Sequence, residues 1–268
     1  MDLAGHIVMF IIGLAGSFCS GLLGIGGAII NYPLLLYVPG LFGVEMFSPR
    51  QVSSISMIQV FFSSLAGMLA FLRQSKKEKP LMHKGLIMNM GASILIGSLA
   101  GSLSSAYLPS ASINIIYGVL AVVAAVLMMI PGRGTEEEVQ LGSVRYNPWF
   151  SAVSALLVGV VSGIVGAGGS FILIPIMLTM LRIPVRVTVA SSLAIVFISA
   201  IGGVSGKIAG GHIPLWPTLF TVLGSVLGAP VGTMVSRHLK VKSLRIALAV
   251  LIAATAVKIW WGIITAGV

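Results

Sequence analysis

Apolar residues fill this chain in long runs broken by short polar stretches, at about 7–36, 51–72, 85–108, 113–131, 149–181, 187–209, 215–236 and 244–266. A helix needs about 20 apolar residues to cross the hydrocarbon core, so most of these runs are long enough to span. Strict apolar–polar alternation is missing and the runs exceed barrel-strand length, which argues against a transmembrane barrel. The pattern predicts an all-α polytopic membrane protein.

Two of the runs carry the same glycine-rich segment. Ser20-Gly21-Leu22-Leu23-Gly24-Ile25-Gly26-Gly27-Ala28 recurs as Ser162-Gly163-Ile164-Val165-Gly166-Ala167-Gly168-Gly169-Ser170, and the match continues at Ile30/Ile172, Pro33/Pro175 and Leu36/Leu178. Beyond it, Phe61, Ser63 and Gly67 match Phe197, Ser199 and Gly203, while Gly97-Ser98 and Gly101 match Gly224-Ser225 and Gly228. The chain is therefore read as a duplication. Residues 1–131 form the first membrane repeat, 132–148 a polar, turn-rich linker ending in Asn147-Pro148, and 149–268 the second repeat.

Basic residues do not follow the duplication. The loop after the second segment of the first half holds Arg73, Lys76, Lys77, Lys79 and Lys84, and its counterpart holds only Lys207. The loop after the third segment reverses this, with no basic residue in 109–112 but Arg237, Lys240, Lys242 and Arg245 in the second half. Lys and Arg collect on the cytoplasmic side, so equivalent loops are expected on opposite faces and the two halves are read as inverted. Inversion needs an odd number of crossings per half, so one of the four segments must turn back. The first is the candidate: residues 7–20 would rise about 21 Å and 28–36 about 13 Å, each short of a full span. The expected architecture is two inverted four-segment repeats, each with a re-entrant or broken glycine-rich first segment and three transmembrane helices. With the N-terminus outside, thirteen of the sixteen basic residues fall inside and Arg50, Lys207 and Lys258 stay at or near the outer face.

Composition narrows the chemistry. The chain has 268 residues, 57% of them hydrophobic and 8% charged, with a mean hydropathy of +1.09. These values lie far outside the soluble range. The N-terminus lacks a basic region, so the first segment is not expected to be a cleavable leader. A net charge of +10 would suggest nucleic acid for a soluble protein, but here the cations flank membrane spans, and no nucleic-acid role is expected. The single cysteine, Cys19, allows neither an internal disulfide nor a cysteine-only metal site.

The acidic residues, Asp2, Glu45, Glu78 and Glu136 to Glu138, all lie outside the apolar runs. Proton and cation pathways use intramembrane carboxylates, so an anion is the favoured guest. Unwound glycine turns inside a bilayer need a protein-lined cavity, and the first N–H groups of a following helix suit a negative charge. Gly24, Gly26, Gly27 and Ala28, with Gly166, Gly168, Gly169 and Ser170, are therefore candidate substrate-binding residues. Asn31, Ser56, Gln59, Ser191 and Ser192 add neutral donors for oxyanion oxygens; Asn31 is matched by Leu173 and so acts on one side only. The alternative for the hydroxyls is hydrogen bonding between helices. Glycines spaced four apart at 97/101, 202/206/210 and 224/228/232 are read as packing stripes. No catalytic constellation, metal site or cofactor is expected, and so no enzyme.

At the duplicated glycine segments, the flanking Pro33 and Pro175 and the Ala190-Ser191-Ser192-Leu193 stretch, the chain resembles the TauE/SafE sulfite exporter family, also called the toluenesulfonate uptake permease family. The resemblance covers nearly the whole length. It implies a prokaryotic cytoplasmic (inner) membrane location and transport of small sulfur-containing anions such as sulfite, sulfoacetate or other organosulfonates. The expectation is a secondary transporter working by alternating access, one half moving against the other, in the export direction; its partners are the small anion and the lipid bilayer. A cation or metal permease and an anion channel are the alternatives. The sequence does not fix the oligomeric state. Cysteine labelling from either side tests the topology, with the loop at Lys76 and Lys77 and the stretch from Arg237 to Arg245 both expected inside.

Overall fold

The computed structural model describes residues 3–23, 28–75, 82–129 and 146–236, with 246, 250, 253, 254 and 256–262 near the C-terminus. The first glycine turn (24–27), the loop at 76–81, most of the linker (130–145) and the basic stretch 237–245 lie outside the described residues. The described elements are helical: α1 (Leu3–Leu23), α2 (Ala28–Leu41), α3 (Pro49–Ser75), α4 (Lys84–Ser104), α5 (Ser110–Met129), α6 (Pro148–Val165), α7 (Ser170–Pro175) continuing into a π-helical turn at Ile176–Met180, α8 (Val185–Gly210) and α9 (Leu215–Ser236). Seven of them, all but α2 and α7, are long and apolar enough to cross a membrane. Their outer faces carry exposed large apolar residues at helical spacing, such as Ile7, Ile11 and Leu14 on α1 and Leu219, Leu223 and Val226 on α9. That is the surface lipid requires.

Local chemistry fixes several helix ends. The Asn147 side chain accepts from the N–H groups of Trp149 and Phe150, and Pro148 opens α6 where its missing N–H costs nothing. His83 Nδ1 accepts from the N–H of Leu86 at the start of α4. Gly211, at φ 71°, closes α8.

Glycine contacts set the directions of the helices. An added Cβ at Gly13 would lie 2.0 Å from the Thr221 carbonyl oxygen and one at Gly21 2.1 Å from that of Ala229, so α1 and α9 run parallel with backbones in contact. Gly97 meets the Leu156 carbonyl and Gly101 that of Val160, which makes α4 and α6 parallel as well. Gly202 and Gly206 lie against Leu95 and Ser102, so α8 follows α4. The packing stripes read from the sequence are therefore seams where helix backbones touch. Gln59 of α3 reaches Gly13 and Ser17 of α1, while Gly67 of α3 lies near Thr233 and Ala229 of α9. So α3 runs with α1 and α9.

The two parallel groups, α1/α3/α9 and α4/α6/α8, meet where α3 and α8 cross antiparallel. Phe61 and Phe197 pack ring on ring with centroids 5.2 Å apart. Gly67 meets Leu193 on one side of this contact and Gly203 meets Met57 on the other. Each of these contacts becomes the other when Met57, Phe61 and Gly67 are exchanged for Leu193, Phe197 and Gly203. Because α1 and α3 are parallel, the chain must come back between them through α2; likewise it returns between α6 and α8 through α7 and the π-helical turn.

The first segments differ from expectation in length. α1 has 21 residues and α6 has 18, about 31 and 27 Å at 1.5 Å per residue, so both are long enough to span by themselves. The glycines that weaken helix propensity in α1 are held by close packing, Gly13 and Gly21 against α9 and Gly16 against Asn31 of α2, so the helix carries on through them. α2 likewise extends through Pro33 and Pro39 to Leu41.

Gly101→Val sets a side chain into space where a Cβ alone stands 1.8 Å from the Val160 carbonyl. It is expected to destabilise the protein by about 1–3 kcal/mol or more, read as a lowered thermal midpoint in detergent. Gly210→Ala, whose Cβ meets Ala106 at an ordinary 3.5 Å, should leave that midpoint nearly unchanged.

Candidate functional site

Most buried hydroxyls on the central helices are occupied locally. Ser54 donates to the Arg50 carbonyl, Ser63 and Ser64 to that of Val60, and Ser192 to that of Val189. Bonding back to the preceding turn is the ordinary habit of Ser in a membrane helix. Others tie helices together: Ser98 donates to the Ser199 carbonyl at 2.6 Å and Ser53 to that of Ile164 at 2.9 Å. Ser191 accepts from the backbone N–H of His83 at 3.1 Å and so serves the start of α4.

A smaller set stands apart. The carboxamide of Asn31, the Ser56 hydroxyl, Oε1 of Gln59 and the Ser199 hydroxyl are buried without a hydrogen-bond partner. Asn31, Ser56 and Gln59 are all fully buried, and a buried polar group left unbonded costs free energy. Asn31 stands at the end of the first turn of α2, its Oδ1 against the backbone of Gly16 in α1, where even a Cβ would collide with it. Gln59 approaches the same part of α1, with Nε2 3.4 Å from both the Gly13 carbonyl and Ser17 Oγ. Ser56 lies one turn before Gln59 on the same face of α3. The structure thus brings Asn31 and Gln59 to the middle of α1, with buried Ser17 as a third polar group, while Ser56 is buried on α3 between them and the face that Ser53 and Val60 turn to the second glycine turn.

Two of the corresponding positions in the second half are apolar. Leu173 takes the place of Asn31 and Ile195 that of Gln59, both fully buried. Of the unpartnered neutral groups, those of Asn31, Ser56 and Gln59 lie on α2 and α3 and that of Ser199 on α8. Among the described residues the one carboxylate is Glu45, exposed on the loop between α2 and α3. It shares with His6, Gln51, Trp216 and Phe220 a cavity of about 520 Å³ at the end of the bundle where α1, α3 and α9 begin.

The glycine turns divide. Gly24, Gly26 and Gly27 lie outside the described residues, and Ala28 begins α2. In the second turn Gly166, Gly168 and Gly169 have φ of 78°, 63° and 80°, a conformation side chains disfavour. All three are also tightly packed: a Cβ at Gly166 would meet the Ser53 carbonyl at 1.9 Å, one at Gly168 would strike Val60 at 2.6 Å and Val196 at 3.2 Å, and one at Gly169 would reach Ile94 and Ser162. Val60 and Val196 precede the Phe61–Phe197 contact, so this turn sits at the crossing of α3 and α8. Ser170, fully buried, opens α7.

Sequence reasoning missed Lys207. Assigned to a loop near the outer face, it is instead buried in the last turn of α8, its Nζ 2.7 Å from Ser105 Oγ and 3.1 Å from the Ile164 carbonyl. The signal was a lone cation within an otherwise apolar run. Ser17 and Gly16 were missed because only the approach of α2 and α3 gives them a role.

The family model described as Sulfite exporter TauE/SafE matches residues 9–259. The chain belongs to this family. Its TauE/SafE relatives include the probable membrane transporter protein YunE of Bacillus subtilis, 24% identical over 256 residues that cover 89% of this chain and 91% of the relative. A probable membrane transporter protein of Methanocaldococcus jannaschii is 25% identical over 251 residues, covering 90% and 89%. One from Xylella fastidiosa is 26% identical over 259 residues, covering 93% and 92%. No solved structure matches the chain. It is a multi-pass membrane protein of a transporter family.

Two glycines separate packing from binding in this TauE/SafE protein. Gly166→Ala must combine positive φ with a collision against backbone, and is expected to lower the thermal midpoint more than Gly43→Ala, where φ is 69° and the space is open. Gly16→Ala, which collides only with the movable end of Asn31, is expected to fold and to impair transport.

Proposed function

We propose that this protein is a secondary transporter of a small sulfur-containing oxyanion, such as sulfite or an organosulfonate, bound between α1, α2 and α3. The supporting observation is the group of buried neutral polar side chains, Asn31, Ser56 and Gln59, with hydrogen-bonding capacity not met by protein. Amide nitrogens and hydroxyls donate to anionic oxygens without carrying a charge of their own. A guest held in this way keeps its negative charge but binds weakly enough to leave, as turnover requires. The start of α2 lies next to Asn31 and contributes the partial positive charge of a helix N-terminus.

The two glycine-marked hairpins and the exchanged contacts at the α3–α8 crossing support a pair of inverted repeats, an arrangement transporters use to open a midplane site to either side. We infer that the moving bodies are the two parallel helix groups rather than the two sequence halves, since α1 packs on α9 and α6 on α4 across the halves. The relatives named above come from bacteria and an archaeon, which supports the prokaryotic cytoplasmic membrane as the location. Export needs no coupling ion: an inside-negative potential supplies about 2.3 kcal/mol per charge per 100 mV, close to fiftyfold in gradient for a monovalent anion.

Flux into proteoliposomes under a potassium diffusion potential tests this reading. Wild-type protein is expected to move sulfite or methanesulfonate in the direction set by the potential, and Asn31→Leu and Gln59→Leu to cut that flux by about tenfold or more, as losing a hydrogen bond to a charged group does. Wild-type vesicles that show no potential-dependent movement of either anion would sink the proposal.

A further inference from the structure

Two cations meet at the end of the bundle where α3 begins and α4, α6 and α8 finish. Lys207 is only 3% exposed, and two of its three N–H donors go to Ser105 Oγ and the Ile164 carbonyl. The Ile164 carbonyl also accepts from Ser53 at 2.9 Å, and it belongs to the last turn of α6, two residues before Gly166. Arg50, in the first turn of α3, donates through Nη2 to the Leu108 carbonyl, while its buried Nε has no partner. Through the Ile164 carbonyl Lys207 is joined to Ser53, one turn after Arg50 on α3.

No carboxylate among the described residues balances them, and burying unpaired cations is costly. The fold does not demand a cation here: at the place in α3 equivalent to Lys207, the first half has Phe71, buried at 6% exposed. What remains is a buried ammonium and a half-buried guanidinium whose Nε is buried and unpartnered, beside the second glycine turn.

We infer that Lys207 and Arg50 form a second anion position, distinct from the Asn31–Gln59 group, which receives the transported oxyanion at this end of the bundle and favours a doubly charged anion over a singly charged one. Two cations reward a dianion, and the guanidinium and ammonium supply charge-assisted hydrogen bonds. The inference rests on the reading that the guest is an oxyanion.

The experiment compares KM and maximal flux for sulfite and for methanesulfonate in proteoliposomes bearing wild type, Lys207→Met, Lys207→Arg and Arg50→Gln. Lys207→Met is expected to raise the KM for sulfite by about tenfold or more, with a smaller rise for methanesulfonate and maximal flux reduced less than about threefold. Lys207→Arg is expected to restore the sulfite KM. An unchanged KM in Lys207→Met, or a Lys207→Arg variant as impaired as Lys207→Met, overturns the inference, because charge would then not be what matters. If Lys207→Met does not fold, Arg50→Gln carries the same test; a raised sulfite KM supports the site and an unchanged one overturns it. Wild-type protein that moves neither anion defeats both this inference and the reading beneath it, whereas wild-type flux with unaltered variants defeats this inference alone.

Discussion

Close contact between helix backbones holds this protein together. Lipid tails are as apolar as leucine, so helices in a bilayer gain little by hiding apolar side chains from one another and must gain by approaching closely. Glycine is what allows it. Along the α1–α9 and α4–α6 seams, glycines on both helices bring carbonyl groups to where a Cβ would otherwise stand. The positions of α3 and α8 follow, since each lies against one of these seams and the two cross at Phe61 and Phe197.

That packing decides which polar groups are available for chemistry. A hydroxyl pressed against a neighbouring carbonyl, as in Ser53 and Ser98, ties helices together. A carboxamide given room by a glycine, as Asn31 is by Gly16, stays buried without a protein hydrogen-bond partner. The second glycine turn shows the same logic from the opposite side. Its positive φ angles and tight contacts fit it between Val60 and Val196, and the polar groups are supplied by the helices beside α1.

Part of this was legible in the sequence because apolar runs and glycine spacing are one-dimensional signals with direct physical causes. The helical class and the packing stripes at Gly97/Gly101 and Gly224/Gly228 rest on local rules. Helix length was not legible, because α1 continues through weak helix formers that tertiary contacts hold in place. Nor was the difference between Ser56 and Ser192. They occupy equivalent positions and read alike, yet Ser192 bonds to the Val189 carbonyl while the Ser56 hydroxyl has no partner. Lys207 was misplaced for a related reason: hydropathy puts a lone lysine at a helix end, and only the convergence of α4, α6 and α8 explains how it stays buried there.

The exchange of helix partners also bears on whether either half could stand alone. Each glycine-marked first helix finds its closest neighbour in the opposite half, so one repeat alone would turn glycine-lined grooves toward lipid with nothing to fill them. Neither half packs by itself, because the grooves of each are filled by helices of the other. That mutual filling leaves matched buried positions free to differ: the amides Asn31 and Gln59 on one side, and Leu173 and Ile195 on the other.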